Sequence, residues 1–140
     1  MSWQSYVDTL IGDGFICQDA AVVGYEMDKS VWASYCPSSF ATITPEQIDM
    51  LLSENRESLL IHGVTLGNVK CSVLRDSFDV DGDWTMDLRT KDAGGGPTYN
   101  ITIAKSLKAF VVVMGKGGVH GGKPHIKAQD MASYLRKAGY

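Results

Sequence analysis

Several stretches of this sequence carry residue types that could do chemistry. Gly117-Gly118-Val119-His120-Gly121-Gly122-Lys123 has the G-x-x-x-x-G-K spacing of a loop whose backbone N–H groups cradle phosphates. The next residue, however, is Pro124, which has no hydroxyl to offer magnesium, and only seventeen residues follow Lys123. That is too few for the parallel strands a nucleotide-binding α/β domain needs, so the glycines are expected to supply a close-approach loop. Asp79-Val80-Asp81-Gly82-Asp83 opens like a calcium loop, but its glycine comes two positions early and no bidentate glutamate follows. A hairpin turn is expected there. His62, His120 and His125 lack the nearby Cys or His partners of a metal site, and no cysteine has an activating base. The sequence offers no catalytic constellation, no metal site and no cofactor site.

The aromatic residues are more informative. Trp3, Tyr6, Trp32, Tyr134 and Tyr140 fall in or beside the two terminal helices and the second early strand. Tyr134 flanks the apolar stripe of its helix rather than centring it. Were the terminal helices to pack side by side, these rings would form one exposed shelf. Such a shelf suits a polyproline II ligand, whose stiff chain loses little entropy on docking. Spacing alone favours ordinary core for Trp3 and Trp32. A second surface is polar: Lys70, Ser72, Arg89, Lys91, Thr98 and Asn100 alternate with Cys71, Val73, Leu88 and Ile101, and so point to the opposite side of their strands.

The elements that must position these groups follow from periodicity. Trp3, Tyr6, Val7, Leu10 and Ile11 make one helical stripe, capped by Ser2 and ended by Gly12-Asp13-Gly14. Strands are expected over Ala20–Tyr25 and Val31–Tyr35. Thr44-Pro45-Glu46-Gln47 announces a helix with a capping box. From residue 58 onward the period becomes two, with Trp84, Met86 and Leu88 forming one inward set and Tyr99, Ile101 and Ile103 another. Asp81-Gly82 marks a hairpin between Phe78–Val80 and Trp84–Thr90. Ala109–Met114 is almost wholly apolar, the mark of a central strand covered on both faces. Ala128, Met131, Ala132, Leu135 and Ala138 are the buried stripe of a last helix that begins near Pro124 and stops at Gly139. This is an α+β pattern around an antiparallel sheet.

Composition agrees with one folded, soluble domain over residues 1–140. The chain has 140 residues, 44% hydrophobic and 21% charged, which excludes disorder, and three cysteines are too few for a disulfide framework. No apolar run reaches the ~20 residues that cross a bilayer, and the start lacks a secretory pattern. A cytosolic monomer is expected. The net charge of −3 is uneven: residues 105–140 hold seven basic groups against one acid, +6, and the rest carries −9. A basic end attracts an acidic protein, anionic lipid or nucleic acid, and is equally compatible with a solvated helix.

The chain resembles a profilin of the vertebrate type over nearly its whole length. The carriers are Trp3-Gln4-Ser5-Tyr6-Val7-Asp8, Val31-Trp32-Ala33, Ile43-Thr44-Pro45, Gly63-Val64-Thr65-Leu66-Gly67, and Lys70-Cys71-Ser72-Val73-Leu74-Arg75-Asp76-Ser77. Met86-Asp87-Leu88-Arg89-Thr90-Lys91, Pro97-Thr98-Tyr99-Asn100, Met114-Gly115-Lys116 and Val119-His120-Gly121-Gly122 continue the match. The resemblance implies a non-enzymatic regulator of actin polymerisation. Its fold would be a central antiparallel sheet, with the terminal helices together on one face and short helices on the other. Its implied partners are monomeric actin, proline-rich proteins such as formins, and phosphatidylinositol 4,5-bisphosphate; no nucleic acid is expected. By position, the proline shelf is Trp3, Tyr6, Trp32, Tyr134 and Tyr140. The actin face is Lys70, Ser72, Val73, Leu74, Arg75, Arg89, Lys91, Thr98, Asn100, Val119, His120 and Gly122. Phosphoinositide would use Lys70, Arg89, Lys91, Arg136 and Lys137. The alternative is a phosphoinositide-reading membrane-surface module that binds actin weakly. Three departures bear on the actin border: Leu60 and Ile61 replace a family aromatic, Ile126 replaces a lysine, and His125 replaces an amide. They imply an actin affinity different from the family's usual value.

Overall fold

A computed structural model describes residues 2–92 and 94–140. The first helix, α1 (Trp3–Ile11), begins where the Ser2 hydroxyl accepts the Ser5 N–H and ends at Gly12, whose φ is 56°. Strands β1 (Cys17–Gly24) and β2 (Val31–Ser34) follow. Helix α2 (Pro45–Leu51) carries the expected box, with Thr44 and Gln47 bonded reciprocally. Helix α3 (Arg56–His62) comes next, capped by Asn55, then β3 (Val64–Leu66), β4 (Val69–Ser77) and β5 (Thr85–Thr90). The chain closes with β6 (Asn100–Lys105), β7 (Ala109–Gly115) and α4 (Gly122–Lys137). No helix among the described residues is long and apolar enough to cross a membrane.

The strands form one seven-stranded sheet in the order β2-β1-β7-β6-β5-β4-β3, every neighbouring pair antiparallel. Strand β7 lies inside it and is buried along its whole length, as its unbroken apolar run requires. Its alternation divides the core in two. Phe110, Val112 and Met114 face a layer that includes Ile48 and Leu51 of α2 and Leu59 of α3. Ala109, Val111 and Val113 face Val7, Leu10 and Ile11 of α1 and Ala128, Ala132 and Leu135 of α4. The α+β layering expected from the sequence is therefore present, with the terminal helices sharing one face.

Four details depart from the periodicity. Residues 58–62 are helical, because Asn55 caps the Ser58 N–H and the run Leu59-Leu60-Ile61 buries only Leu59. Strand β1 starts at Cys17 rather than Ala20, since Cys17 and Asp19 already pair with Gly115 and Met114 across a bulge. Trp84 leaves the ladder with a φ of 50°, so β4 and β5 end at Ser77 and Thr85 and the connection spans residues 78–84. Ala138 is an exposed C-cap rather than part of the buried stripe.

The three thiols are sharply unequal. Cys17 and Cys71 are fully buried, and burial pushes the Cys71 thiol up to about 12 against a weaker opposing pull from Lys91. Cys36 is exposed. Titration of the native protein with a thiol reagent is expected to consume Cys36 alone, with the other two reacting only after denaturation, because thiolate and access are both required.

Candidate functional site

The residues of the aromatic shelf come together from three elements. Helices α1 and α4 lie antiparallel: Trp3 meets Tyr140, Tyr6 meets Tyr134, and the Lys127 ammonium donates to the Leu10 carbonyl at 3.0 Å. Trp3 is the hub, with ring centroids 5.4 Å from Tyr6, 4.8 Å from Trp32 and 5.1 Å from Tyr140. Tyr134 extends the row at 6.0 Å from Tyr6. The five rings are neither scattered nor sealed. Trp3, Tyr6 and Trp32 are half-buried, and Tyr134 and Tyr140 remain 52% and 44% exposed. Tilted and edge contacts of this kind hold each ring while leaving faces open.

Trp32 reaches the shelf through a bulge. Val22 pairs with Ala33 and Val23 with Val31, so Trp32 is the extra residue and is turned toward α1. Gly24 makes room, since a Cβ there would collide with the Trp32 indole and the Asp28 carbonyl. Tyr140 is held from behind. Its carbonyl accepts from the Lys108 N–H at 2.5 Å and from the fully buried Ser106 hydroxyl at 2.8 Å, and the Lys108 ammonium sits 5.6 Å from its ring centre. Periodicity gives no sign of Gly24, Ser106 or Lys108 as supports; only the packed chain ends disclose them. Burial, and next the Tyr134 and Tyr140 phenols beside it, push the Tyr6 phenol upward, which keeps it a neutral donor. The ring row therefore offers apolar faces and phenol donors to a ligand rich in carbonyls.

The polar face lies on the same side of the sheet, toward its far edge. Ser72 pairs with Arg89, and Lys70 with Thr65. The Arg89 guanidinium donates to Thr98 Oγ1 at 2.9 Å, Thr98 O at 3.2 Å and Asn100 Oδ1 at 3.0 Å, gathering three of the expected residues. A bulge between Val73 and Arg75 turns Leu74 outward, 59% exposed, beside Arg75. The loop before α4 brings half-buried Val119 and Gly122 and exposed His120 alongside, and the His120 Nδ1 accepts the Gly122 N–H at 3.0 Å. Gly121 permits that approach, because a Cβ there would strike the Asn100 amide. A cleft of about 380 Å³ runs between Leu74, Arg75, Asn100 and the start of α4.

Two expected members stand apart. Val73 turns to the opposite face and packs against the core, so its side chain does not join the polar surface. The Lys91 ammonium bends toward Gly63 at the end of α3. The cleft also holds a pair that alternation did not single out. Asp87 Oδ1 accepts from Thr102 Oγ1 at 2.9 Å and lies 2.8 Å from His125 Nδ1. One acid in an alternating strand carries no signal of its own.

The five cations expected to share a phosphoinositide do not form one cluster. The Arg136 guanidinium lies 3.6 Å from the Trp84 ring centre and donates twice to the Lys105 carbonyl. Trp84 precedes β5, whereas Arg89 is five residues further along, about 17 Å at strand rise. Lys137 follows Arg136 in α4. The set divides into Lys70, Arg89 and Lys91 on one side and Arg136 and Lys137 on the other. Among the described residues no group of three or more His, Cys, Asp or Glu could hold a metal ion.

An antiparallel sheet with paired terminal helices, an open row of rings and a separate polar face defines a small two-surface binding domain. Comparison with known proteins identifies the class more closely. The family profile described as Profilin matches residues 1–140. Bovine profilin-2 is 54% identical over 138 residues, covering 99% of this chain and 98% of that protein. Mouse profilin IIa, solved in complex with a double repeat from the FH1 domain of mDia1, superposes with a TM-score of 0.96 at 53% identity, each chain covered in full. A Loki profilin solved with rabbit actin shares the fold at 12% identity, with a TM-score of 0.65 over 99% of this chain and 98% of that one. The chain belongs to the profilin family.

Proposed function

We propose that this profilin is a non-enzymatic adaptor of the cytoplasm and cytoskeleton that regulates actin polymerisation. It carries monomeric actin on the face of β4, β5 and β6 and a proline-rich segment, such as that of a formin, on the five-ring shelf. The observation that carries this reading is the separation of the two surfaces. Strand β2, which brings Trp32 to the shelf, lies three strand positions from β6, four from β5 and five from β4, about 14–24 Å at inter-strand spacing. A standard interface takes about 800 Å² per partner, and the surface totals 7189 Å², so both partners fit at once. Simultaneous binding raises the local concentration of actin beside a proline-rich elongation factor.

Light scattering on a mixture of the protein, monomeric actin and a proline-rich polypeptide is the test. A ternary mass is expected, and mutual exclusion of the two ligands overturns the linkage. In the same mixture Arg89→Glu should lose actin but retain the polypeptide. The loss should be largest at low salt, because the substitution reverses an exposed charge and releases Thr98 and Asn100.

A second reading rests on Lys70 and Arg89 standing on one exposed face with Lys91 at its edge, while Arg136 is already committed to the Lys105 carbonyl. Phosphatidylinositol 4,5-bisphosphate would then bind the actin face and compete with actin, in a strongly salt-screened contact. Vesicles with and without that lipid, challenged with actin, separate competition from generic charge attraction.

A further inference from the structure

The sheet ends at β3, the edge farthest from the ring row, and one position of that edge is open. Strand β4 shows which one. The Lys70 carbonyl accepts the Lys91 N–H at 2.8 Å, so the main chain of Lys70 faces β5. Thr65 is the cross-strand partner of Lys70, and its own N–H and C=O therefore point away from β4, off the end of the sheet. Neither finds a hydrogen-bond partner among the described residues. The positions on either side are already engaged. The Gly63 N–H donates to the Leu59 carbonyl of α3. At Gly67 the Gln47 side chain takes both groups, accepting the N–H at 2.8 Å and donating to the carbonyl at 3.1 Å. An amide thus sits on this edge as a strand residue would, one pairing step from Thr65.

The open position lies in a groove of about 250 Å³ between β3 and α2. Gly63, Val64 and Thr65 form one wall, and Glu46, Gln47 and Met50 the other. Met50 is 52% exposed and gives the groove an apolar surface. Charge is ordered along it. Glu46, beside Gln47, stands at the Gly67 end; it is exposed and has no ion-pair partner among the described residues, whereas Asp49 is held by Lys29. The Lys91 ammonium lies at the Gly63 end. Lys70 shares the opposite face of the strand with the Thr65 side chain.

We propose that this edge takes a short extended segment of a partner protein as an eighth, antiparallel strand. One ligand residue exchanges two main-chain hydrogen bonds with Thr65, so it is not proline. Its side chain lies on the Lys70 face and is a carboxylate. The residue before it enters the groove near Glu46 and is arginine or lysine, with its stem over Met50. The residue after it lies at the Gly63 end, near Lys91, and is uncharged and β-branched. Antiparallel pairing sets this order, because the ligand then runs from the Gly67 end to the Gly63 end. The Gln47 amide and the end of α3 stop a longer strand from zipping on, so the contact is brief and fixed in register. It is a third surface, at the opposite edge from β2.

Nuclear magnetic resonance with capped peptides tests it. Saturating Ser-Thr-Arg-Glu-Val-Thr-Ser should slow hydrogen exchange of the Thr65 amide about tenfold or more and leave the amides of the ring row unchanged. The reversed core, Ser-Thr-Val-Glu-Arg-Thr-Ser, should bind several times more weakly. N-methylation of the glutamate should cost about tenfold, because it removes a main-chain donor. Glu46→Lys should bind the first peptide up to about fivefold more weakly, prefer a version with glutamate in place of arginine, and hold a proline-rich polypeptide as the wild type does. No spectral change at millimolar peptide overturns the proposal, as does binding that leaves Thr65 exchange unaltered or tolerates the N-methyl group. Equal binding by Glu46→Lys overturns the assigned charge order. Thr65 protection that rises with protein concentration alone gives the edge to a second copy of this chain instead.

Discussion

Trp3→Ala abolishes retention on immobilised polyproline while leaving the affinity for monomeric actin within about twofold, since the two surfaces are too far apart to couple. The expectation follows from the place of Trp3 in the ring row. It is the only ring of the five that touches three others, at 5.4, 4.8 and 5.1 Å. Truncating it removes a ligand face and also the support that fixes Tyr6, Trp32 and Tyr140. A central aromatic anchor of this kind is worth about 2–4 kcal/mol, or roughly 30- to 1000-fold in affinity. Tyr134 touches only Tyr6 among the five, so Tyr134→Ala should cost several times less. The indole is half-buried against the α1–α4 core, and some stability is lost with it. Circular dichroism at the assay temperature must therefore show a folded protein. A folded Trp3→Ala protein that still binds polyproline would remove the shelf from consideration, and parallel loss of actin would indicate a damaged core.

How much of this could be read from the chain depends on how local each signal is. The α1 stripe, the Thr44–Gln47 box and the buried β7 run are local, and each appears where its periodicity places it. The same is true of the outward set on β4 and β5, because alternation survives in both strands as far as Val73 and Arg89. The bulge at Leu74 breaks that phase and turns two successive residues outward, which no period of two can express. Helix α3 was hidden for the opposite reason. Its run Leu59-Leu60-Ile61 is apolar all round yet buries one residue, so a short helix and a strand look alike there. Trp84 has the type and spacing of a strand residue, but its positive φ and the Arg136 guanidinium over its ring draw it out of the ladder.

The ring row shows the same limit at the scale of the site. Its members could be chosen by type, since Tyr134 lies off the buried stripe and Trp3 begins a helix. That Trp3 meets Tyr140 depends on two helices from opposite ends of the chain packing antiparallel, which is a property of the whole fold. The supports behind the rings are less legible still. Ser106 is a serine in a turn until the Tyr140 carbonyl is placed against it. Charge behaved similarly: Arg136 and Arg89 count equally in a sum, but one is folded onto Trp84 and the other lies open.

The largest stability effect is expected away from both surfaces, at Asp76→Ala. The Arg56 guanidinium grips Asp76 with two parallel bonds, Nε to Oδ2 at 2.7 Å and Nη2 to Oδ1 at 2.9 Å. Its remaining nitrogen, Nη1, donates to the Leu51 and Ser53 carbonyls at the end of α2. One residue thus ties α2, α3 and β4 together, and Asp76 Oδ1 also accepts the Phe78 N–H where the hairpin leaves β4. The side chains are 23% and 10% exposed, so removing the carboxylate strands a largely desolvated cation. That costs about 3 kcal/mol, or about 10 °C in Tm for a chain of this length. Burial pushes the Asp76 carboxyl up, but the Arg56 bonds, the Phe78 N–H and the Arg56 and Lys105 charges outweigh it and hold the group below its ordinary value. A depressed carboxyl stabilises the fold fully above about pH 4 and ceases to do so as the pH falls through the depressed value. The Tm gap between wild type and Asp76→Asn should therefore narrow on acidification from pH 7 to pH 3. A gap that stays constant would mean that packing, not charge, sets the cost. Replacing both partners, as Arg56→Met with Asp76→Leu, should restore most of the loss, because no unpaired charge then remains inside.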